Sequence, residues 1–383
     1  LRFPEFQGKW EYFLINDVCS EFKSGKNIKA DSVFECGEYP VYGGNGLRGY
    51  TSSYNHEGSY VLIGRQGALC GNVRSVYGKT YITEHAIAVA GNEKSNTSFL
   101  HYLFLKMNLG QYSDQSAQPG LAVNKLLKLK VALPIISEQT KIAKLLSLLD
   151  ERISTQSKII EDLKKLKSAI VEKVFCSPNQ EYPMCRIEGF EQALSTYKMS
   201  DFSSRIATKN KDSKCSLVLT IAAQYGLVNQ ESFFNKSVAS ENLTGYYLLH
   251  KGEFAYNRSY SAGYDWGAVK RLDNYDEGVL STLYICFKIN ETIVDSDYLA
   301  YYFESSKWHK GLSDIAGEGA RNHGLLNVSI TDYFNTKHRF PVIEEQKAIA
   351  KMLNTITEKE RKATLLGECY QKQKQYLLRQ MFI

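Results

Sequence analysis

The clearest hydrophobic pattern in the chain is a spacing of alternately four and three residues, which occurs in two stretches. No proline or glycine lies between Ser137 and Phe175, and Ser137 is a suitable N-cap. A period of 3.5 residues kept over about five heptads is typical of a coiled-coil seam. We therefore expect a long helix that packs against a partner helix. The apolar residues on this spacing are Ile142, Leu146, Leu149, Ile153, Ile160, Leu163, Ile170 and Val174.

The second stretch repeats the first 207 residues later. The segments that begin at Leu133 and Phe340 share the pattern Pro-x-x-x-Glu-Gln and, three residues on, Ile-Ala-Lys. Two helices of about 38 residues would form rods of roughly 57 Å. The polar residues Gln156, Lys167 and Lys374 are expected to set the register of the helices. The alternative is two unrelated amphipathic helices, each packed on its own domain. The second seam contains Ile349, Leu353, Ile356, Tyr370, Leu377 and Met381.

A fainter match lies upstream of each helix. Arg2 and Phe6 align with Arg186 and Phe190, which are 184 residues further along. One duplication explains both offsets if the second copy holds about 23 more residues than the first, the difference between the offsets 207 and 184. The two copies therefore share a framework, and their surfaces are free to differ.

The segments before the two long helices are predicted to be mixed α/β globules. Alternating and β-rich runs predict strands, and the apolar spacing after them predicts short helices. The predicted elements are strands at 59–64, 81–90 and 279–289, a helix from 98 to 109 that ends at Gly110, and a helix from 297 to 310.

Bulk properties narrow the class of protein. The formal net charge is +6 and the pI about 8.7, which permits nucleic-acid binding without requiring it. The eight cysteines are scattered and form no metal-binding spacing, so reduced thiols and a cytoplasmic location are expected. No apolar run approaches the roughly 20 residues of a membrane span, and no signal peptide begins the chain.

Three features resemble the specificity subunit of a type I restriction-modification system. They are residues 1–10, the Pro-x-x-x-Glu-Gln motif before each long helix, and Ile-Gly-Arg-Gln-Gly-Ala-Leu-Cys-Gly at 63–71. The likeness covers essentially the whole chain. The second copy departs from the first at Glu344, which replaces Ser137, at Gly367 within the seam, and in having no counterpart of Trp10.

The resemblance implies an α+β fold with pseudo-twofold symmetry. Two α/β target-recognition domains would be joined by two long antiparallel coiled-coil helices. The implied boundaries are 1–136 for the first target-recognition domain, 137–176 for the first helix, 177–343 for the second domain and 344–383 for the second helix.

The resemblance also implies a function and partners. Each domain would read half of a split, asymmetric duplex DNA target. Two methyltransferase subunits, and possibly two restriction and translocation subunits, would dock on the frame. S-adenosylmethionine, ATP and magnesium are expected on those partners, and this chain is expected to hold no cofactor or metal and to have no catalytic activity of its own.

Candidate DNA contacts in the first copy lie in glycine-containing turns. Arg65 and Gln66 stand between two glycines after a predicted strand, where Arg suits guanine and Gln suits adenine. The loop from 42 to 50 lacks the Lys-Ser/Thr of a phosphate-binding loop, so a DNA-facing loop bearing Arg48 and Tyr50 or a plain turn remain open. Arg74 completes this set.

Candidate contacts in the second copy follow from the alignment of residues 60–67 with 253–260. Arg258 then occupies the place of Arg65, and aromatic, amide and basic residues surround it in loops that suit phosphate and base contacts. Exposed loops of no function have the same composition. The residues are Tyr256, Asn257, Arg258, Tyr264, Trp266, Lys270, Arg271, Arg321 and Asn322.

No catalytic motif is recognised. The pairs His56-Glu57 and Glu84-His85 lack the spacing of a metal site, which favours structural roles. Two other classes stay open: an internally duplicated, metal-dependent DNA endonuclease, and a coiled-coil scaffold that binds no DNA.

Overall fold

The computed structural model describes residues 1–114, 120–236, 242–259, 263–315, 326 and 328–382. They divide into two compact units: unit 1 comprises residues 1–158 and 364–383, and unit 2 comprises residues 159–363. Each long helix therefore contributes residues to both units. None of the helices in the described residues is long and apolar enough to span a bilayer.

Unit 1 contains a six-stranded sheet in the order β2-β7-β5-β6-β3-β4 and a two-stranded sheet formed by β1 and β8. The helix α2 packs on the six-stranded sheet through Phe99, Leu103 and Phe104, which are buried with Ile63 and Val89. The elements are β1 (Glu11–Leu14), α1 (Ile15–Val18), β2 (Cys19–Ser24), β3 (Tyr39–Gly43), β4 (Gly46–Thr51), β5 (His56–Gly64), β6 (Val73–Ile82), β7 (Ala86–Gly91), α2 (Thr97–Met107), α3 (Val123–Leu126), β8 (Lys130–Leu133) and the first part of α4 (Ile136–Val174).

Unit 2 contains a four-stranded sheet in the order β10-β17-β14-β15 and three two-stranded sheets, β9-β18, β11-β12 and β13-β16. Its largest core is aromatic and includes Phe202, Phe254, Phe287 and Tyr302. The elements are β9 (Ser195–Lys198), α5 (Met199–Phe202), β10 (Ser203–Arg205), β11 (Leu219–Ala222), β12 (Gly226–Asn229), α6 (Gln230–Phe234), β13 (Tyr247–His250), β14 (Phe254–Asn257), β15 (Ala268–Arg271), β16 (Glu277–Leu280), β17 (Ile285–Ile289), α7 (Ser296–Tyr302), α8 (His309–Ser313), α9 (Ile330–Asn335), β18 (Lys337–Phe340) and the first part of α10 (Ile343–Gln380).

The sequence repeat is present in the structure down to strand register. In unit 1, Glu11 of β1 pairs with Leu133 of β8. In unit 2, Ser195 of β9 pairs with Phe340 of β18. These pairs are related by the two sequence offsets, 184 residues on the first strand and 207 on the second. The α+β fold with two long helices, predicted from the sequence, is confirmed.

The Pro-x-x-x-Glu-Gln motif attaches each long helix to its globule. Glu138 is fully buried and accepts hydrogen bonds from Arg2 Nε and Nη2, both at 2.7 Å. Gln139 donates from Nε2 to the carbonyl oxygens of Pro134 and Lys94, and its Oε1 accepts from the Asn96 amide. A buried carboxylate without partners is costly. Because Arg2 binds both oxygens of Glu138, the motif can contain a buried glutamate.

Unit 2 repeats this arrangement atom for atom. Arg186 Nε and Nη2 donate to Glu345 at 2.9 and 2.7 Å. Gln346 Nε2 donates to the Pro341 and Ile293 carbonyl oxygens, and its Oε1 accepts from the Asp295 amide. The motif is therefore a structural element of the framework.

The long helices run antiparallel within each unit. In unit 1, Lys374 Nζ lies 2.5 Å from Asp150 Oδ1, and Leu377 packs on the core that contains Leu146. In unit 2, Val171 shares a core with Leu353, while Glu360 lines a cleft with Lys164. Every residue that the sequence analysis placed on the two seams is buried or half-buried.

Lys374 and Lys167, which the repeat aligns, have similar surroundings. Lys374 lies over the ring of Tyr102 at 5.8 Å, and the Tyr102 hydroxyl donates to Asp150. Lys167 lies over the ring of Tyr301 at 5.2 Å and pairs with Glu304 at 3.1 Å. Each lysine thus ties its helix to the globule of the unit in which it lies.

Several element predictions are wrong in detail. The predicted strand at 81–90 is divided by a turn at 83–85 between β6 and β7, and the predicted strand at 279–289 is divided between β16 and β17. The predicted helix at 297–310 is two helices, α7 and α8. Asn108, in the left-handed region at φ 49°, ends α2 in place of Gly110. The long helices begin at Ile136 and Ile343, so Ser137 lies in the first turn, and α10 continues through Gly367.

Candidate nucleic-acid interface

Two turns of unit 1 meet at one end of its six-stranded sheet. The segment from 42 to 50 is a hairpin of β3 and β4, so Arg48 and Tyr50 lie on a strand and the prediction of a loop is wrong. A β-carbon on Gly44 would lie 2.6 Å from the His85 carbonyl oxygen and 3.5 Å from the Arg65 amide nitrogen. Glycine at 44 therefore lets the hairpin rest directly on the turn that carries Arg65.

Arg48, Tyr50 and Arg74 border this contact. Arg48 and Arg74 are exposed, and Tyr50 is half-buried and pairs through its backbone with Phe34. A β-carbon on Gly46, at φ +109°, would lie 3.0 Å from the Arg74 guanidinium carbon. The structure thus brings Arg48, Arg65 and Arg74 around one glycine turn, although they lie on different elements.

Arg65 and Gln66 occupy the turn after β5. The Arg65 backbone donates to the His85 carbonyl and accepts from the Leu121 amide, so the turn is fixed at both peptide groups. Arg65 Nη1 donates to Ser24 Oγ at 3.1 Å, and Gln66 Oε1 lies 3.2 Å from His85 Nδ1. Arg65 is half-buried and Gln66 is exposed. We call Arg48, Arg65, Gln66 and Arg74 the unit-1 cluster.

The aligned residues of unit 2 are organised differently. Tyr256 is fully buried, donates from its hydroxyl to the Trp266 carbonyl and stacks on Tyr333 at 4.8 Å, and burial raises its pKa. Trp266 is half-buried against the same core. The prediction that Tyr256 contacts DNA is therefore wrong, because its ring and hydroxyl are both used inside the protein.

Arg258 also serves the interior of unit 2. Its Nη1 and Nη2 donate to the carbonyl oxygens of Val328 and Leu283, both at 3.1 Å, and its Nε is buried. Asn257 Oδ1 accepts from the Ser259 amide. These bonds hold two distant segments together. This arrangement differs from that of Arg65 and favours a structural role, while base reading by Arg258 stays a prediction.

Two basic residues of β15 are similarly engaged. Arg271 donates to Asp273 Oδ1 at 2.6 Å and Asp297 Oδ1 at 2.8 Å, so two carboxylates balance its charge, and a DNA contact by Arg271 stays a prediction. Lys270 is half-buried, and burial lowers its pKa. Tyr264 is half-buried beside a second core, and burial raises its pKa. Arg321 and Asn322 lie outside the described residues.

A basic segment of unit 2 was missed by the sequence analysis. Arg205 Nη2 donates to the Tyr247 hydroxyl at 3.0 Å, and Lys209 Nζ lies 4.0 Å from the centre of the same ring. Buried Asn210 closes the loop by bonding both the amide and the carbonyl of Cys215. Lys211 and Lys214 are exposed on this loop. We call Arg205, Lys209, Lys211 and Lys214 the unit-2 basic segment.

The signal for this segment was available in the sequence. Lys26-Asn27 in the first copy is followed by Lys209-Asn210 in the second after 183 residues, close to the upstream offset. Lys26 and Lys29 of unit 1 are exposed and come shortly after β2, as the lysines of the unit-2 basic segment come shortly after β10. Both units thus present lysines after the equivalent strand.

The described residues contain no group of three or more His, Cys, Asp or Glu side chains arranged to hold a metal ion. Glu84 and His85, set aside in the sequence analysis as structural, lie beside the unit-1 cluster: His85 Nε2 is 3.2 Å from Glu84 Oε1.

Comparison with known proteins connects this geometry to a family. Residues 7–165 match the family described as type I restriction modification DNA specificity domain. The chain is 42% identical over 153 residues to the type I restriction enzyme EcoprrI specificity subunit of Escherichia coli. This alignment covers 39% of this chain and 37% of that relative. Residues 7–165 of the chain are thus similar to the DNA specificity domain of type I restriction-modification systems, and the aligned part spans just over a third of the length of this relative.

Two further matches, one in sequence and one in fold, extend over most or all of the chain. A type I specificity subunit assigned provisionally in Haemophilus influenzae is 22% identical over 363 residues, covering 91% of this chain and 89% of the relative. The crystal structure of the type I restriction-modification S subunit from M. genitalium superposes with a TM-score of 0.66 at 15% identity, covering 100% of this chain and 98% of that one. The resemblance first inferred from the doubled motif is confirmed.

The matched specificity domain contains all of the unit-1 cluster. Arg48, Arg65, Gln66 and Arg74 fall within residues 7–165, whereas the unit-2 basic segment lies beyond them. The candidate contacts that converge in unit 1 therefore all lie within the part of the chain that matches the specificity-domain family.

Proposed function

We propose that this chain reads a split, asymmetric DNA target for a type I restriction-modification enzyme, with one half-site read by each unit. The observation that carries the proposal is the convergence of Arg48, Arg65, Gln66 and Arg74 at one end of the unit-1 sheet. Arginine and glutamine side chains pair with guanine and adenine edges in the major groove. Exposed arginines beside them suit phosphate contacts.

Within unit 1, we assign base reading to Arg65 and Gln66. Their turn is fixed through backbone hydrogen bonds, whereas the two exposed arginines lie on β4 and β6. A rigid turn presents side chains at a reproducible position, which base discrimination requires. Arg48 and Arg74 are assigned to the phosphates on either side.

Within unit 2, we assign phosphate contacts to the basic segment. Lys211 and Lys214 are exposed, and Arg205 and Lys209 flank the Tyr247 ring. Base reading by Arg321 and Asn322 remains a prediction. Because the two units present different residues on a repeated framework, the two half-sites are expected to differ in sequence.

Methylation and cleavage are assigned to partner subunits. In this proposal two methyltransferase subunits carry S-adenosylmethionine and methylate adenine, and restriction subunits, where present, use ATP and magnesium. The long helices of this chain, each of which contributes residues to both units, would connect the two reading units. A role in a larger assembly is supported by similarity to a solved structure that addresses complex assembly and conformational transition of the type I restriction-modification system, with a TM-score of 0.53 and 13% identity.

The test is to co-express the chain with the neighbouring methyltransferase gene and map methylated adenines in the host DNA. One split motif should be methylated, and Arg65→Ala should alter one half of it only. Absence of methylation with a folded complex would contradict the proposal. Cleavage of DNA by the purified chain with magnesium alone would instead favour the endonuclease, and weak binding with no salt dependence would favour the scaffold.

A further inference from the structure

The two proposed base-reading side chains each contact a polar side chain from another element. Arg65 Nη1 donates to Ser24 Oγ at the end of β2, at 3.1 Å. Gln66 Oε1 lies 3.2 Å from Nδ1 of His85, in the turn between β6 and β7. Ser24 and His85 are separated by 61 positions in the sequence, and Ser24 ends β2 while His85 lies in the turn that leads into β7.

His85 is itself held at its other ring nitrogen. Its Nε2 lies 3.2 Å from Glu84 Oε1, and its own carbonyl oxygen accepts from the Arg65 amide. The histidine side chain is 47% exposed and that of Glu84 36% exposed, so the pair lies at the surface beside Gln66. A ring fixed by a carboxylate on one side and an amide on the other has a defined orientation.

The orientation of Gln66 determines what it can read. The amide carries an acceptor at Oε1 and two donors at Nε2, and reading adenine requires the oxygen toward N6 and the nitrogen toward N7. A free glutamine on the surface samples both orientations of the amide and several rotamers. When both ring nitrogens carry protons, His85 donates from Nε2 to Glu84 and from Nδ1 to Oε1 of Gln66. The bond to Oε1 selects one amide orientation and leaves the second lone pair of Oε1 and the Nε2 donors of Gln66 for the base.

We infer that His85 and Ser24 are positioning residues for sequence discrimination: His85 fixes the amide of Gln66, and Ser24 fixes the guanidinium of Arg65. The inference rests on the proposed function of the unit-1 cluster. It assigns adjacent G·C and A·T pairs to the half-site read by unit 1, because arginine and glutamine occupy consecutive positions of one turn. Neither positioning residue is required to touch DNA.

The test is selection of bound duplexes from a randomised library, with the full chain in complex with its methyltransferase subunits, followed by sequencing. His85→Ala should lower the preference for the A·T pair by about fivefold, the effect of one hydrogen bond, and leave the neighbouring G·C preference unchanged. Ser24→Ala should do the reverse. His85→Gln, which retains a donor toward Gln66, should restore the preference.

His250→Ala is the matched control. His250 is an exposed histidine of unit 2 that also faces a glutamate, with its Nδ1 3.9 Å from Glu277 Oε2. It should leave every base preference unchanged. If His85→Ala gives the same profile as His250→Ala, or lowers all positions equally, the positioning role is contradicted. If the wild-type complex itself selects no sequence, the proposed function fails instead.

Discussion

Arg65 and Arg258 follow equivalent strands in the two copies, and their surroundings differ. Arg65 uses one guanidinium nitrogen on Ser24 and remains half-buried at the surface. Arg258 donates to the Val328 and Leu283 carbonyl oxygens and buries its Nε. The comparison shows that the two copies share the framework of each unit and differ in the residues that follow the strand. The turn after β5 is the one that we propose reads DNA, and the segment after β14 links distant parts of unit 2.

Substitutions in the buried arginine–glutamate pairs of the framework should change the free energy of unfolding the most. Glu345→Gln removes the charge partner of Arg186 in a pair whose glutamate side chain is only 2% exposed, and should lower the free energy of unfolding by about 3 kcal/mol. Glu138→Gln should lower it less, because Arg2 is more exposed than Arg186, at 32% against 17%. Urea unfolding monitored by circular dichroism measures both.

The control for the framework is Glu358→Gln. Glu358 pairs with Arg361 on the surface of α10 and is 46% exposed, so its loss should have a much smaller effect. Equal effects at Glu358 and Glu345 would contradict the view that the motif attaches the helix to the globule.

Arg258→Ala should come next in size. It leaves two carbonyl oxygens without their charged donor, and should lower the free energy of unfolding by about 2 kcal/mol. Arg48→Ala removes an exposed arginine of the unit-1 cluster and should change stability by less than about 0.5 kcal/mol. Thermal unfolding of the two variants side by side measures the difference. An unchanged stability of Arg258→Ala would argue that its carbonyl bonds are dispensable.

The framework was largely predictable from the sequence, because it repeats. The doubled Pro-x-x-x-Glu-Gln motif and the Arg2 and Arg186 match are parts of one interaction that reappears in both units. Regular apolar spacing likewise predicted both long helices. A pattern that depends on local spacing is visible in the chain without knowledge of long-range contacts.

The site was less predictable, because it depends on partners distant in sequence. Whether Tyr256 faces solvent depends on its stacking with Tyr333, and the role of Arg258 depends on carbonyl groups at 283 and 328. The sequence predicted one strand at 279–289, where a turn separates β16 from β17. His85 could not be assigned a role in the site from the sequence, because the proposed role depends on its contact with Gln66 and no sequence motif indicates that contact.

Gly44→Ala should separate the hairpin from the reading turn. The added β-carbon would lie 2.6 Å from the His85 carbonyl oxygen, so backbone must move, at a cost of about 1 to 2 kcal/mol. Affinity of the complex for its selected duplex should fall by about tenfold, measured by fluorescence anisotropy, since the arginines of the cluster would be displaced together. Gly8→Ala is the control, because its β-carbon meets nothing within 4 Å. Equal affinities of the two variants would contradict a shared site.

The smallest expected effect concerns the unit-2 basic segment. Lys211→Gln and Lys214→Gln together should reduce the slope of log affinity against log salt by about 2, since each removes one phosphate contact, and should leave base preferences unchanged. Lys372→Gln, an exposed lysine of α10, should leave the slope as it is. If the double substitution leaves the slope of log affinity against log salt unchanged, the unit-2 basic segment does not contact DNA phosphates.

The most direct test compares Arg65→Ala with Arg258→Ala in base preference, position by position, at a temperature where both complexes are folded. We predict that Arg65→Ala lowers discrimination at one G·C pair by roughly 1 to 3 kcal/mol. Arg258→Ala should select the same sequence as the wild type in both half-sites. Two results would contradict this account. One is a folded Arg258→Ala variant that loses base preference in the half-site not affected by Arg65→Ala. The other is an Arg65→Ala variant whose base preferences equal those of the wild type.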